Sequence, residues 1–283
     1  METLSAKLAR FRSTHLAHRV RCDAQNWEYF TGGTGTECIF LLHGGMATGE
    51  MYFEYFLELE NTFRLIAPSI PSGVTTLEES VRGFAAILDA QQISACHVFG
   101  HSQGGFLGMV FADRVPDRVL MLMMSSTALP SEIHAAAKVR QQLKIMPFIP
   151  DWLLGPAMRM GLRRAIRLAG SQLSGEERRV LFELLGCEGT AALRRRALST
   201  ANLQLDYHQH PLGPNRWPGR VLLFETGGDR IIHPGEAEAL RVRYPNAQVH
   251  KFEEGGHLAI MTRAPEFARL IRGFLASRQK YER

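Results

Sequence analysis

A serine flanked by glycines stands at the end of an apolar run, in the stretch VFGHSQGGFLG at residues 98–108. Ser102 has Gly100 two positions before it and Gly104 two positions after it, which gives the pattern G-x-S-x-G. Between a strand and a helix, this pattern is typical of a strained turn that exposes a nucleophilic serine hydroxyl. Because a serine hydroxyl alone is a weak nucleophile, the chain must also supply a base and an orienting acid.

His257 and Asp229 are the candidates for those two roles. His257 lies in the glycine-flanked loop EEGGHLAIM after the last apolar run, and Asp229 follows the run RVLLFETGG. Glu225, inside that same run, is the rival carboxylate, to which we assign a structural role. Nucleophile, acid and base occur in this order in one known class of triads. We therefore predict a catalytic triad of Ser102, Asp229 and His257.

Two backbone N–H groups are candidates for holding negative charge on a reacting carbonyl oxygen. Gly45 ends the motif HGG after an apolar run, and Gln103 opens the helix predicted after Ser102. Amide donors aimed at developing charge, and the start of a helix, stabilise an oxyanion. We predict an oxyanion hole formed by Gly45 and Gln103, with His43 holding the loop and Gly44 contacting the substrate.

Apolar runs and helical patterns alternate along the chain. Eight segments are predicted strands, and continuously apolar ones such as 38–45 and 95–102 indicate a parallel sheet that is covered on both faces. Helical periodicity at 76–92 and 264–279 predicts flanking helices. The pattern indicates an α/β fold with a mostly parallel central sheet flanked by helices.

This alternation is interrupted once. Residues 127–219 contain no convincing strand and show several helical stretches broken by proline and glycine. We therefore predict that 1–126 and 220–283 form the core, and that 127–219 is a helical cap inserted after the sixth strand. The insertion carries 13 Lys and Arg against 7 Asp and Glu, so it accounts for the whole net charge of +5.

The predicted cap combines apolar and cationic side chains. Phe148, Trp152 and Met158 are predicted to bind substrate, together with Gly44. Four arginines stand nearby at 159, 163, 164 and 167. These arginines could be solvated residues on a packed helix, or they could form a cationic rim for an anionic handle on an acyl substrate. A third interpretation is a contact with anionic lipid, because basic amphipathic helices bind such surfaces.

Composition excludes several classes of function. No basic run carries interleaved aromatics, so the sequence does not predict nucleic-acid binding. There is no apolar run of about 18 residues for a membrane span. The first twenty residues contain no apolar stretch of the kind found in secretory leaders, so we do not expect one. The four cysteines are scattered without a CxxC pair, which predicts a reducing cytoplasm with neither a zinc site nor a disulfide framework.

The motifs LLHGG, GHSQGG, GGDRIIHP and EEGGHL together resemble the α/β-hydrolase superfamily along essentially the whole chain. The resemblance implies that Ser102, activated by His257, attacks an acyl carbonyl and forms an acyl-enzyme that water then hydrolyses. The implied substrate is a small ester or thioester with an apolar acyl group, and no metal or cofactor is implied.

The chain is also similar to maspardin-like proteins, through FRSTH, RLIAPS, HVFGHSQGGFLG and YPNAQVHKFEEGGH. That likeness implies a non-catalytic interaction protein with a degenerate site, but this sequence departs from it by keeping serine, aspartate and histidine. A third interpretation keeps the triad and changes the reaction to carbon–carbon hydrolysis or a biosynthetic rearrangement, because one fold hosts several chemistries.

Overall fold

The computed structural model describes residues 2–130, 133–169, 173–186, 189–232 and 234–277. Eight strands in this part of the chain form a single sheet. They are β1 (Ala17–Cys22), β2 (Gln25–Gly32), β3 (Cys38–Leu42), β4 (Arg64–Ser69), β5 (Cys96–His101), β6 (Val119–Ser125), β7 (Arg220–Thr226) and β8 (Gln248–Phe252).

The strand order gives the central strands parallel neighbours on both sides. The order is β1-β2-β4-β3-β5-β6-β7-β8, with the first two pairings antiparallel and the rest parallel. Every side chain of β3 and β5 is buried, as expected for strands that are covered on both faces. The predicted α/β-hydrolase fold with a mostly parallel sheet is confirmed.

Helices connect the strands and cover the sheet. The described residues form eleven α-helices in addition to short 3-10 turns. These helices are α1 (Leu4–Thr14), α2 (Phe53–Leu59), α3 (Leu77–Ala90), α4 (Gln103–Arg114), α5 (Ile133–Ile145), α6 (Asp151–Ala169), α7 (Gly175–Gly186), α8 (Thr190–Gln209), α9 (Pro234–Arg243), α10 (Ala259–Thr262) and α11 (Ala264–Ala276).

Two apolar layers pack against opposite faces of the sheet. Successive side chains of a strand point to opposite faces, so Phe99 and Val98 of β5 belong to different layers. Phe267 of α11 packs in the layer of Phe99, and Phe84 of α3 packs in the layer of Val98. The sheet is therefore packed between two apolar layers, and the loops that leave its carboxyl edge start from fixed positions.

Helices α5 to α8 lie between β6 and β7, where the sequence predicts an insertion. The boundaries of core and cap stay a prediction.

Helices α1 and α2 were not predicted from the sequence, and α1 contacts both the insertion and the core. The Ser5 amide donates to Glu176 of α7 at 3.1 Å, and Arg12 forms ion pairs with Glu50 at 2.6 Å and Glu183 at 2.5 Å.

Two remaining sequence predictions concern cysteines and membrane spans. Cys22, Cys38 and Cys96 are separate thiols, and Cys187 lies outside the described residues. Within the described part of the chain, no helix combines the length and the apolarity that crossing a bilayer requires.

We predict that Gly83 in the middle of α3 is required by the packing of Trp27. A Cβ atom at position 83 would overlap the buried indole of Trp27, so Gly83→Ala is expected to destabilise the protein by about 1–3 kcal/mol. At Gly273 of α11 a Cβ meets nothing within 4 Å, so Gly273→Ala should stabilise by about 0.5–1 kcal/mol. Urea unfolding of both variants tests this, and equal stabilities would contradict it.

Candidate active site

Ser102 occupies the turn between β5 and α4 in a strained backbone conformation. Its φ of 51° and ψ of −119° lie in a region that non-glycine residues rarely adopt, at a cost of about 1–3 kcal/mol. The turn is held on both sides of Ser102. Its amide donates to the Ser125 carbonyl at 2.9 Å, and its carbonyl accepts from the Thr127 hydroxyl at 2.5 Å.

The glycines around Ser102 permit close backbone packing. A Cβ at Gly100 would overlap the Gly104 backbone, and a Cβ at Gly104 would overlap the Leu42 carbonyl. Helix α4 can therefore start directly against the ends of β3 and β5. The G-x-S-x-G pattern follows from this crowding, because only glycine fits at both positions.

A continuous series of hydrogen bonds joins the three residues of the predicted triad. The Ser102 hydroxyl lies 3.1 Å from His257 Nε2, and His257 Nδ1 lies 3.0 Å and 3.2 Å from the two Asp229 oxygens. Since an ionised carboxylate only accepts hydrogen bonds, Nδ1 carries the proton. Nε2 then presents its lone pair to the serine hydroxyl, as a general base must.

Asp229 is held in its ionised form. Burial raises the pKa of Asp229. The hydrogen bond and the electrostatic interaction with His257, together with the amides of Ile231 and Ile232, lower it by more, so this pKa lies below its ordinary value of 3.8. The two amides donate to Oδ1 at 2.8 Å and 3.1 Å. Glu225, the rival acid, instead forms a two-pronged ion pair with Arg241 at 2.6 Å and 2.7 Å.

His43 fixes the loop that carries Gly44 and Gly45. Its Nε2 accepts a hydrogen bond from the Ile70 amide at 2.9 Å, so its Nδ1 carries the proton and donates to the Gly44 carbonyl at 2.7 Å. Burial lowers the pKa of His43 to about 4, which keeps the ring neutral near pH 7. A neutral ring with one donor and one acceptor matches both partners.

Thr200, on α8, joins the two predicted oxyanion residues and was not found from the sequence. Its hydroxyl lies 3.0 Å from Gln103 Oε1 and 3.4 Å from the Gly45 carbonyl. Gln103 is the first residue of α4, so its amide has no partner within the helix. The insertion thus contributes directly to the arrangement of Gly45 and Gln103 beside Ser102.

His101 packs against His257. Its ring is buried, with its centroid 4.9 Å from that of His257. Burial, together with the nearby His257, lowers the pKa of His101 well below its ordinary value, so the ring stays neutral. A neutral neighbour packs against the His257 ring without opposing a positive charge on it.

Ser102 and His257 open into a cavity of about 1010 Å³. Gly44, Gly45 and Gln103 also line it. Most of its side chains are apolar, including Met51, Phe106, Leu162, Leu185, Ile232 and Met261. Polar groups are contributed by Lys138, Gln204, His208 and Glu236.

The structure corrects the predicted substrate contacts of the insertion. As far as the described residues go, the cavity lining includes Gly44 but not Phe148, Trp152 or Met158. Phe148 and Trp152 are 85% and 76% exposed, and the α6 residues that line the cavity are instead Leu162 and Ala165. The four arginines at 159, 163, 164 and 167 are likewise not part of the described lining.

The model of the alpha/beta hydrolase family matches residues 39–270, from β3 through most of α11. The chain belongs to the alpha/beta hydrolase family. The matched range contains Ser102, Asp229 and His257 in this order along the chain.

Relatives of this alpha/beta hydrolase carry different names. The chain is 33% identical over 111 residues to an uncharacterized hydrolase, YcgS, of Bacillus subtilis, spanning 37% of this chain and 39% of that protein. It is 25% identical over 262 residues to a dihydrolipoyllysine-residue acetyltransferase component of an acetoin cleaving system of Cupriavidus necator, spanning 87% of this chain and 66% of that protein. It is 27% identical over 266 residues to the 2-hydroxy-6-oxononadienedioate/2-hydroxy-6-oxononatrienedioate hydrolase of Burkholderia vietnamiensis, spanning 87% of this chain and 90% of that protein.

Solved structures share the fold at low sequence identity. A thermophilic esterase from Thermogutta terrifontis superposes with a TM-score of 0.73 at 22% identity, over 93% of this chain and 98% of that one. A hydrolase from Pseudomonas aeruginosa gives a TM-score of 0.75 at 17% identity, over 92% and 98% of the two chains.

We predict that Thr200 is a positioning residue for the oxyanion hole. Thr200→Val removes the hydroxyl beside Gln103 and Gly45 and leaves Gln103 Oε1 without this donor, so kcat/KM for an ester should fall about tenfold. Thr200→Ser keeps the hydroxyl and should recover most of the rate. Steady-state ester kinetics test this, and a valine variant with wild-type kcat/KM would contradict it.

Proposed function

We propose that this alpha/beta hydrolase cleaves an ester or thioester of an apolar acyl group through a covalent acyl-enzyme. The hydrogen-bonded series from Ser102 through His257 to Asp229 carries the proposal. A positioned base makes a serine hydroxyl nucleophilic, and a buried carboxylate orients that base.

The proposed mechanism has two half-reactions. In the first, Ser102 Oγ attacks the acyl carbonyl as its proton passes to His257 Nε2, and the Gly45 and Gln103 amides hold the oxyanion. His257 then gives that proton to the leaving alcohol or thiol, and the acyl group stays on Ser102. In the second, His257 takes a proton from water, whose oxygen attacks the acyl carbon. Ser102 regains its proton and a carboxylic acid leaves. These steps require no metal or cofactor.

The cavity supports the proposed apolar acyl group. Its volume of about 1010 Å³ lies at the upper end of the common range for ligand pockets, and its lining is largely apolar. An anionic handle on the substrate would meet Lys138 and His208 rather than the arginines of α6, because only the first two are among the described lining residues.

We expect ester hydrolysis to depend on the triad and on acyl length. For p-nitrophenyl esters from acetate to octanoate, kcat/KM should rise by up to about fourfold for each methylene that becomes buried. Ser102→Ala and Asp229→Asn should each lower kcat by about 10⁴-fold or more, since they remove the nucleophile and the orienting carboxylate. A parallel series of acyl-coenzyme A substrates separates ester from thioester preference. Ser102→Ala with wild-type rates would contradict the proposal.

Carbon–carbon hydrolysis is the second candidate. It is favoured by the alignment with the Burkholderia vietnamiensis hydrolase, which extends over 90% of that protein. Carbon–carbon hydrolysis would be favoured if the protein turns over 2-hydroxy-6-oxononadienedioate but hydrolyses neither the p-nitrophenyl esters nor the acyl-coenzyme A thioesters. Inertness of the wild-type protein toward all three substrate classes would favour the maspardin-like interaction protein. A reducing cytoplasm stays our prediction for its location.

A further inference from the structure

Large exposed apolar side chains are concentrated at one place on the insertion. Among the described residues, eight large apolar side chains are exposed, and five of them lie between positions 145 and 160. We call these five the outer patch: Ile145, Phe148, Trp152, Leu153 and Met160. Exposed apolar groups scattered singly are normal, but a cluster of this kind marks an interaction surface.

The outer patch and the cavity lie on different sides of α6. Leu154 and Ile166 are buried, and Leu162 and Ala165 line the cavity beside Ser102. Trp152 and Met160 are exposed on the outer side. The apolar residues that pack α6 and line the cavity are thus provided by other positions of this helix, so the exposed Trp152 and Met160 are not needed for its packing.

Arg194 holds the chain that presents Phe148 and Trp152. Its guanidinium donates to the carbonyls of Pro147, at 3.1 Å, and of Ile149, and it pairs with the Asp151 carboxylate at 2.5 Å. These contacts lie on both sides of Phe148 and directly before Trp152. The two aromatic side chains are therefore presented outward by a fixed backbone.

Positive charge surrounds the outer patch. Between positions 144 and 169 the chain has five cationic residues and one acidic residue, Asp151, which is paired with Arg194. Lys144, Arg164 and Arg167 are exposed. A symmetric second copy would bring like charges together, because a two-fold interface pairs a surface with itself. An anionic lipid surface instead accepts both the aromatic side chains and the cations.

We propose that the outer patch binds an anionic lipid surface, with Phe148 and Trp152 inserted among the headgroups and the arginines of α6 beside lipid phosphates. This binding is independent of the proposed reaction, since none of the five outer-patch residues lines the cavity as described. It would bring the wall of the cavity formed by Leu162 and Ala165 within one helix diameter, about 10–12 Å, of the lipid.

Intrinsic fluorescence provides a specific probe of this contact. Trp152 is the one exposed tryptophan of the three in the chain, because Trp27 and Trp217 are buried. We expect phosphatidylglycerol vesicles to shift the emission of the full chain to shorter wavelength, and brominated acyl chains to quench it. Phosphatidylcholine vesicles should have little effect. Ser102→Ala should bind like the wild type, so loss of hydrolysis and loss of lipid binding are distinguished.

Variants test which residues carry the binding, measured by co-sedimentation with phosphatidylglycerol vesicles at low salt. The double variant Phe148→Ser, Trp152→Ser should bind at least tenfold more weakly. Arg164→Gln and Arg167→Gln should each weaken partitioning about fivefold, an effect that is lost at high salt. Val242→Ser, at an exposed apolar site on α9, is the matched control and should bind normally.

Three outcomes would overturn the proposal. The first is absence of wild-type co-sedimentation with phosphatidylglycerol at low salt. The second is unchanged binding of the double serine variant, with its fold verified by circular dichroism. The third is a dimer in light scattering that dissociates in the double variant, which would assign the outer patch to a second copy of the chain.

Discussion

The strained backbone at Ser102 is the constraint on which the site depends. A positive φ at a non-glycine residue persists only where neighbouring contacts enforce it. Here the Ser125 carbonyl and the Thr127 hydroxyl hold the two peptide groups of the turn. The cost of about 1–3 kcal/mol is offset by the packing of β5 and α4, and as a result the hydroxyl faces the cavity at a helix start.

The parallel sheet converts distant sequence positions into neighbours. Ser102 follows β5, Asp229 follows β7 and His257 follows β8, and carboxyl ends of parallel strands lie at one edge. Because the strands are buried between two apolar layers, these loops start from rigid positions. The distances of 3.0–3.2 Å within the triad follow from that rigidity rather than from local sequence.

Patterns with a local physical cause were predictable from the sequence. The glycines around Ser102 reflect steric requirements and the apolar strands reflect burial at the residues themselves. The order of Ser102, Asp229 and His257 was informative because it matches a known order of triad residues. Strands β3 and β5 lie inside their predicted ranges, although both end earlier than predicted. Helices α1 and α2 were missed, because their burial against the layer that contains Phe267 depends on tertiary partners.

The insertion shows where sequence patterns stop being informative. Helical spacing indicates which side chains of α6 share a face, but which face meets the core depends on residues far along the chain. Phe148 and Trp152 were therefore placed on the substrate side and are in fact exposed. Thr200 had no sequence signal, because its role arises only when α8 approaches Gln103.

Covalent labelling tests the central claim most directly. The intact protein is incubated with a fluorophosphonate, and its mass and peptide map are measured. The account predicts one adduct per chain, located on Ser102, and labelling that is strongly slowed in His257→Ala. A folded protein that acquires no adduct, or acquires it at another residue, would contradict the claim that His257 activates Ser102.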